Sequence, residues 1–266
     1  MKSANQSAAS PKSVVLLGVQ VDDVTGDEAL SRIEGFIQEG TPHQVVTVNP
    51  EFVVAAQEDG EFRRILNAAD LALPDGIGIV WASRLLSRGR PLRERVAGSD
   101  FVPKIAALAT ERGYRLFLLG AAPGVAEEAA RRLRQQSPGL TIAGTYAGSP
   151  AVEEEDEIVA LVRAAKPDVL FVAYGAPAQD KWIARNLERL GVPVCMGVGG
   201  ALDFIAGVAK RAPRWVQCLG LEWLHRLCHQ PWRWRRMLAL PKFVWLVVLS
   251  RFGGGQRRQR IREKSG

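Results

Sequence analysis

The chain has 266 residues, 47% of them apolar and 24% charged; this suffices for one α/β domain with an appendage and excludes a mostly disordered polypeptide. Mean hydropathy is near zero, no run reaches the ~18 apolar residues of a membrane-spanning helix, and the three cysteines lack CxxC spacing, which argues against a disulfide framework and suits a reducing cytosol. The net charge of +7 is lopsided: from Lys210 onward fourteen Lys and Arg face two acids, Glu222 and Glu263, whereas the rest of the chain holds 21 bases and 26 acids.

Met1–Lys12 is polar and has no apolar core of the signal-peptide kind, so secretion is not expected. A first strand is predicted over Val14–Val19 and a helix over Asp27–Glu39. A second strand, Gln44–Val48, ends in Thr47-Val48-Asn49-Pro50. Asn49 at the N-cap and Pro50 behind it make a sound helix start. Thr47 and Asn49 also project to one side at a strand's carboxyl end, where a ligand would be met. After a helix over Glu61–Ala69, the strand Leu71–Leu73 runs into Pro74-Asp75-Gly76-Ile77-Gly78. This is ordinary turn chemistry, or a lone carboxylate beyond a strand end with glycines that admit a substrate. Such a carboxylate suits a general base better than a metal cage.

A helix over Asp100–Arg112 precedes the apolar strand Arg115–Leu119, which ends in Gly120-Ala121-Ala122-Pro123-Gly124. That turn matches neither GxGxxG nor the Walker pattern, but a helix N-terminus after glycines can contact a diphosphate. A helix over Gly124–Gln136, a strand over Thr141–Thr145 and a helix over Glu154–Ala165 follow, the acidic run Glu153–Glu157 favouring that last helix's N-terminus. The strand Asp168–Ala173 leads through Gly175-Ala176-Pro177-Ala178 to a helix over Gln179–Leu190, with Gln179 and Lys181 in its first turn. Val194–Val198 is the last strand. Alternation of this kind predicts an α/β fold: a Rossmann-like, largely parallel sheet with helices on both faces over residues 13–209. Ligands on such sheets bind beyond the carboxyl ends of the strands.

Residues 210–266 form a basic helical appendage that holds five of the seven tryptophans, Trp215, Trp223, Trp232, Trp234 and Trp245. A helix is predicted over Leu221–Cys228. Met237–Leu249 is apolar but interrupted by Pro241 and Lys242, too short to cross a bilayer and suited to lying in its interface. Glu222, His225 and His229 share a helical face, yet no additional ligand stands nearby, so no metal site is expected. The chain contains no Asp-x-Asp pair and no Gly-x-Ser-x-Gly elbow.

Taken in order, Thr47-Val48-Asn49-Pro50-Glu51, Ala69–Gly78, Glu94-Arg95-Val96-Ala97-Gly98-Ser99-Asp100, Gly175–Trp182, Gly197–Phe204, Arg211-Ala212-Pro213 and Gly220–Leu224 resemble the WecG/TagA/CpsF family of bacterial glycosyltransferases. The resemblance runs over roughly residues 14–240 and implies an inverting, metal-independent enzyme without a cofactor. It would move a sugar (N-acetylmannosamine, its uronic acid or a related hexose) from a UDP-sugar donor to a polyprenyl-diphosphate-linked saccharide in surface polysaccharide biosynthesis. By the same resemblance Asp75 is the general base, with Thr47 and Asn49 beside it. Gln179, Arg95, Gly76, Gly120, Gly199, Asp203 and the tail cations Lys210, Arg211 and Arg214 are expected at the substrates. The tail would meet an anionic membrane surface and place the chain, cytoplasmic, on the inner face of that membrane; a homo-oligomer is compatible with the sequence. The loop Tyr146-Ala147-Gly148-Ser149 departs from the family's Gly-Tyr-Phe-like form.

The chemistry agrees with the residues. Inverting transfer needs a base for the acceptor hydroxyl and charge stabilisation for the departing diphosphate, which helix N-termini and tail cations can provide without a metal. A nicotinamide oxidoreductase should show GxGxxG after its first strand, and Leu16-Leu17-Gly18-Val19-Gln20 does not comply. A nucleic-acid-binding protein would account for the tail alone and leave the polar loops idle, so no nucleic acid is expected.

Overall fold

The computed structural model describes residues 12–87, 89–210, 212–213, 216, 222–229 and 234–262. Strands β1 (Ser13–Leu16) and β2 (Val19–Asp22) form an antiparallel hairpin, which corrects the single strand expected over Val14–Val19. Leu17 and Gly18 both adopt positive φ, 50° and 84°, the primed turn whose twist lets a continuous apolar run fold back on itself. Helix α1 (Gly26–Glu39) follows, started by a capping box in which the Thr25 side chain accepts from the Glu28 amide and Glu28 accepts from the Thr25 amide.

Six strands then build one all-parallel sheet: β3 (His43–Val48), β4 (Leu71–Pro74), β5 (Arg115–Gly120), β6 (Thr141–Tyr146), β7 (Val169–Ala173) and β8 (Val194–Gly197). Their spatial order is β4-β3-β8-β7-β5-β6. The continuous apolar runs feed two faces alternately: Leu116 and Leu118 enter one core cluster, Phe117 and Leu119 another. One face is covered by α1, α5 (Gly98–Arg112), α6 (Val125–Gln136) and α9 (Ala201–Ile205). The other is covered by α2 (Pro50–Glu58) and α3 (Gly60–Ala68), and by α7 (Glu155–Ala165) and α8 (Ala178–Leu190). Helices α4 (Ile77–Leu86) and α9 were not foreseen, because their sequences open on glycine-rich loops that read as turns.

The connections diverge at the carboxyl ends. From β5 the chain runs through α6 outward to β6, and from β7 through α8 inward to β8. Divergence of this kind opens a crevice beyond the strand ends. The C-terminal part contributes α10 (Glu222–His229), α11 (Trp234–Met237) and α12 (Ala239–Arg262). Pro241 falls in the first turn of α12, where a missing amide hydrogen breaks no helical bond. Phe243 and Val247, one turn apart, are buried in the same cluster as Phe52, Val53 and Ile79, so α12 shares a core with the α/β body.

Candidate active site

The carboxyl ends of β3, β4 and β8 meet at one place. Thr47 near the end of β3 is buried, and its Oγ1 donates to the Gly197 carbonyl of β8 at 3.3 Å. Asp75 follows β4 directly; its amide donates to Val48 O at 2.8 Å, while the Val96 amide donates to Pro74 O at 2.8 Å and ties the 94–98 segment to the same edge. A side chain at Gly98 would put its Cβ 3.3 Å from Thr47 Cγ2 and 4.0 Å from Asp75 Oδ2. Thr47, Asp75 and Gly98 therefore meet at one spot, where the absence of a side chain lets the Gly98 backbone approach Thr47 and the half-buried Asp75 closely. Gly76 has φ 107° and ψ 140°, a conformation that L side chains avoid. Asn49 caps α2, its Oδ1 accepting from the Phe52 amide at 3.0 Å.

The neighbouring strands supply a floor. Gln179 is 1% exposed, and its Oε1 accepts from the Gly175 amide at 3.2 Å and the Gly199 amide at 2.9 Å. One side chain thus pins the loops leaving β7 and β8; the peptide between Ala176 and Pro177 in the first of them is cis. Asp180 beside it is fully buried with neither carboxyl oxygen hydrogen-bonded among the described residues. Burial pushes its carboxyl group up to about 7. At Gly120 (φ 95°) an added Cβ would come within 2.9 Å of the Ala173 carbonyl carbon. That glycine answers a strand-packing need, while Ala122, Pro123 and Gly124 stay exposed ahead of α6.

Arg95 reaches Asp100 Oδ2 at 3.5 Å at the start of α5. Asp203 is half-buried in α9, and Lys210 is exposed just beyond it. Arg211 and Arg214 lie outside the described residues. Among the described residues, a tail cation that the sequence did not single out, Arg236 of α11, bonds Glu51 in the first turn of α2 at 2.8 Å. Lys242 pairs with Glu58 at the other end of that helix. Gly98 was also missed as an individual site residue; its signal was a Gly-Ser pair opening a helix straight after Arg95-Val96-Ala97. Among the described residues no group of three His, Cys, Asp or Glu is placed to hold a metal ion. A groove of about 370 Å³, lined by residues such as Arg163, Lys166, Asp168 and Glu188, sits at the opposite, amino ends of β7 and β8, away from the switch point where sheets of this type bind ligands.

The family model of the glycosyl transferase WecG/TagA/CpsF family matches residues 14–257. The chain belongs to this family. It is a glycosyltransferase. Among its relatives, the N-acetylglucosaminyldiphosphoundecaprenol N-acetyl-beta-D-mannosaminyltransferase of Bacillus spizizenii is 38% identical over 204 residues, 77% of this chain and 78% of the relative. The Bacillus subtilis protein of the same name is 37% identical over the same shares. A Staphylococcus aureus protein of that name is 30% identical over 249 residues, 92% of this chain and 96% of its own length. The names of these relatives contain a lipid, undecaprenol, as part of the acceptor. Among the described residues of this family member, no helix is long and apolar enough to cross a membrane. In this glycosyltransferase Asp75 is half-buried at the strand ends, its backbone is held between β3 and β4, and Gln179 pins the neighbouring loops from below.

Proposed function

We propose that the chain transfers N-acetylmannosamine from a UDP-linked donor to N-acetylglucosaminyl-diphosphoundecaprenol, with inversion and without a metal ion. The observation that carries this reading is half-buried Asp75 at the converged strand ends, beside Thr47 and the closely packed backbone of Gly98. The shared name of the relatives supplies both sugars, the lipid and the β configuration of the new bond. A nucleotide sugar of α configuration gives a β product by one displacement. Asp75 removes the proton of the attacking acceptor hydroxyl as the bond to the anomeric carbon forms and the bond to UDP breaks. The diphosphate leaves as an anion, stabilised by helix N-termini and by cations of the C-terminal part such as Lys210 and Arg236. Arg211 and Arg214 are assigned to the same task. The lipid-linked acceptor places the chain at a membrane surface.

The test is a panel of UDP-sugars offered with the lipid-diphosphate acceptor, run with and without excess EDTA in metal-free buffer. Transfer should be fastest with UDP-N-acetylmannosamine and should persist under chelation. Failure of every UDP-sugar would overturn the donor, and loss of turnover under EDTA with recovery on Mg²⁺ would overturn the account of the leaving group.

A further inference from the structure

Helix α4 begins two residues after Asp75, and it is apolar on both sides. Ile79, Val80 and Ala82 are buried. Ile77, Trp81 and Leu85 are 39%, 70% and 44% exposed. Their four-residue spacing puts them in one stripe along the outside of the helix. Single exposed apolar residues need no explanation, but a contiguous stripe does. The stripe is not isolated, because α4 packs against α12, and an added Cβ at Gly78 would lie 4.0 Å from Phe243 of that helix. Helix α12 in turn exposes Trp245, Leu249 and Phe252 opposite its buried Phe243 and Val247.

We propose that the outer face of α4 is a bilayer-contacting surface of the α/β body itself: Ile77, Trp81 and Leu85 enter the headgroup layer of an anionic membrane beside Trp245, Leu249 and Phe252. This rests on the reading that the acceptor is anchored in a membrane. Charge selects lipid over a second copy of the chain as the occupant. Residues 84–95 contain five arginines against one acid, Glu94; Arg93 is paired with Asp23 and Glu28 and Arg95 with Asp100, so the charge that this face offers a partner is that of Arg84 and Arg90. Arg84 and Arg90 are exposed at the end of the stripe. Two exposed arginines beside exposed tryptophan and leucine match anionic headgroups over acyl chains, whereas a symmetric pair through this face would bring Arg84 and Arg90 of the two copies near each other. The arrangement also has a use. Helix α4 is only about 15 Å long, so seating it on the bilayer holds the Asp75 loop near the headgroup layer, the depth at which a lipid-linked diphosphate lies.

The experiment uses the full chain and vesicles of phosphatidylglycerol and phosphatidylcholine that contain no polyprenol. It compares the wild type with the double variant Trp81→Ser, Leu85→Ser and with a control at the exposed Leu161 of α7, Leu161→Ser. Circular dichroism checks that each folds. The double variant should lose on the order of tenfold or more in vesicle partition, the control should lose nothing, and turnover on a short-chain acceptor dispersed in water should be equal for all three. Equal partition of the double variant and wild type overturns the proposal. So does binding that requires polyprenyl diphosphate in the vesicles, or a wild-type dimer that the double variant dissociates while vesicle binding stays intact. Vesicle partition is read without sugar transfer, so an error in the donor or acceptor assignment would show as absent turnover and leave this result legible.

Discussion

The Asp75 backbone is fixed by its bond to Val48 while its carboxyl group remains half-buried at the strand ends. Substitution there should change chemistry more than fold. Asp75→Asn is expected to unfold within about 1 kcal/mol of the wild type and to turn over roughly 10²–10⁴-fold more slowly. Near-native turnover at saturating acceptor would remove Asp75 as the base. Asp180 presents the opposite case, a carboxyl group sealed under the floor. Its value is raised from 3.8 to about 7 by burial. Between those limits the folded chain holds a proton that the unfolded chain has released. Its contribution to stability is therefore complete below about pH 4 and is lost as pH rises through about 7. Asp180→Asn should flatten the stability curve over that window and, at about pH 8, exceed the wild type by on the order of 1–3 kcal/mol in urea titrations. Asp22, also raised by burial, acts in the same direction, so the slope should diminish and not vanish. An unchanged slope would show that Asp180 does not set the window.

Among the elements, α12 joins the basic C-terminal part to the body through its buried Phe243 and Val247, flanked by Ala239 and Leu246, and through the Lys242–Glu58 pair. Phe243→Ala removes a buried ring and should weaken the docking of α12 by about 3–5 kcal/mol. Limited proteolysis should then cut within 239–262 while the sheet resists as before; an unchanged digest would mean that the helix is held by other contacts. The strands of the main sheet were legible because a parallel sheet covered on both faces needs continuous apolar runs, as in Leu116–Leu119 and Val169–Ala173. The hairpin was not, because Leu17-Gly18 lies inside one such run and nothing but a positive φ marks the turn. Helix α4 escaped notice for a related reason: it is apolar on two sides, so the usual amphipathic period is absent. In the site, Thr47 and Asp75 could be placed from strand-end logic alone. The role of Gln179 could not, since it depends on Gly199, twenty residues away, returning to the same floor. Arg236 is more distant still, 185 residues along the chain from its partner Glu51.

At the scale of the whole molecule, the sheet order β4-β3-β8-β7-β5-β6 sets β8, the last of these strands in sequence, between β3, the first of them, and β7. Without β8, β3 and β4 form one parallel pair, and β5, β6 and β7 form a separate three-stranded piece. Each piece then has a bare inner edge with unpaired backbone groups. Fragments that stop at Pro193 should therefore remain protease-sensitive and expose apolar surface to a hydrophobic dye, while the full chain is protected. A protected fragment would show that the two pieces find each other without the missing strand. The same order governs synthesis on the ribosome. Thr47 and Asp75 emerge on one half-sheet, the Gly175 loop emerges on the other, and only the arrival of residues 194–199 joins them across Gly197 and Gly199. The keystone is the last of the six strands to be translated, so a chain still short of residue 194 carries every strand-end loop but one and no assembled cleft: the enzyme cannot begin to act before its sheet is whole.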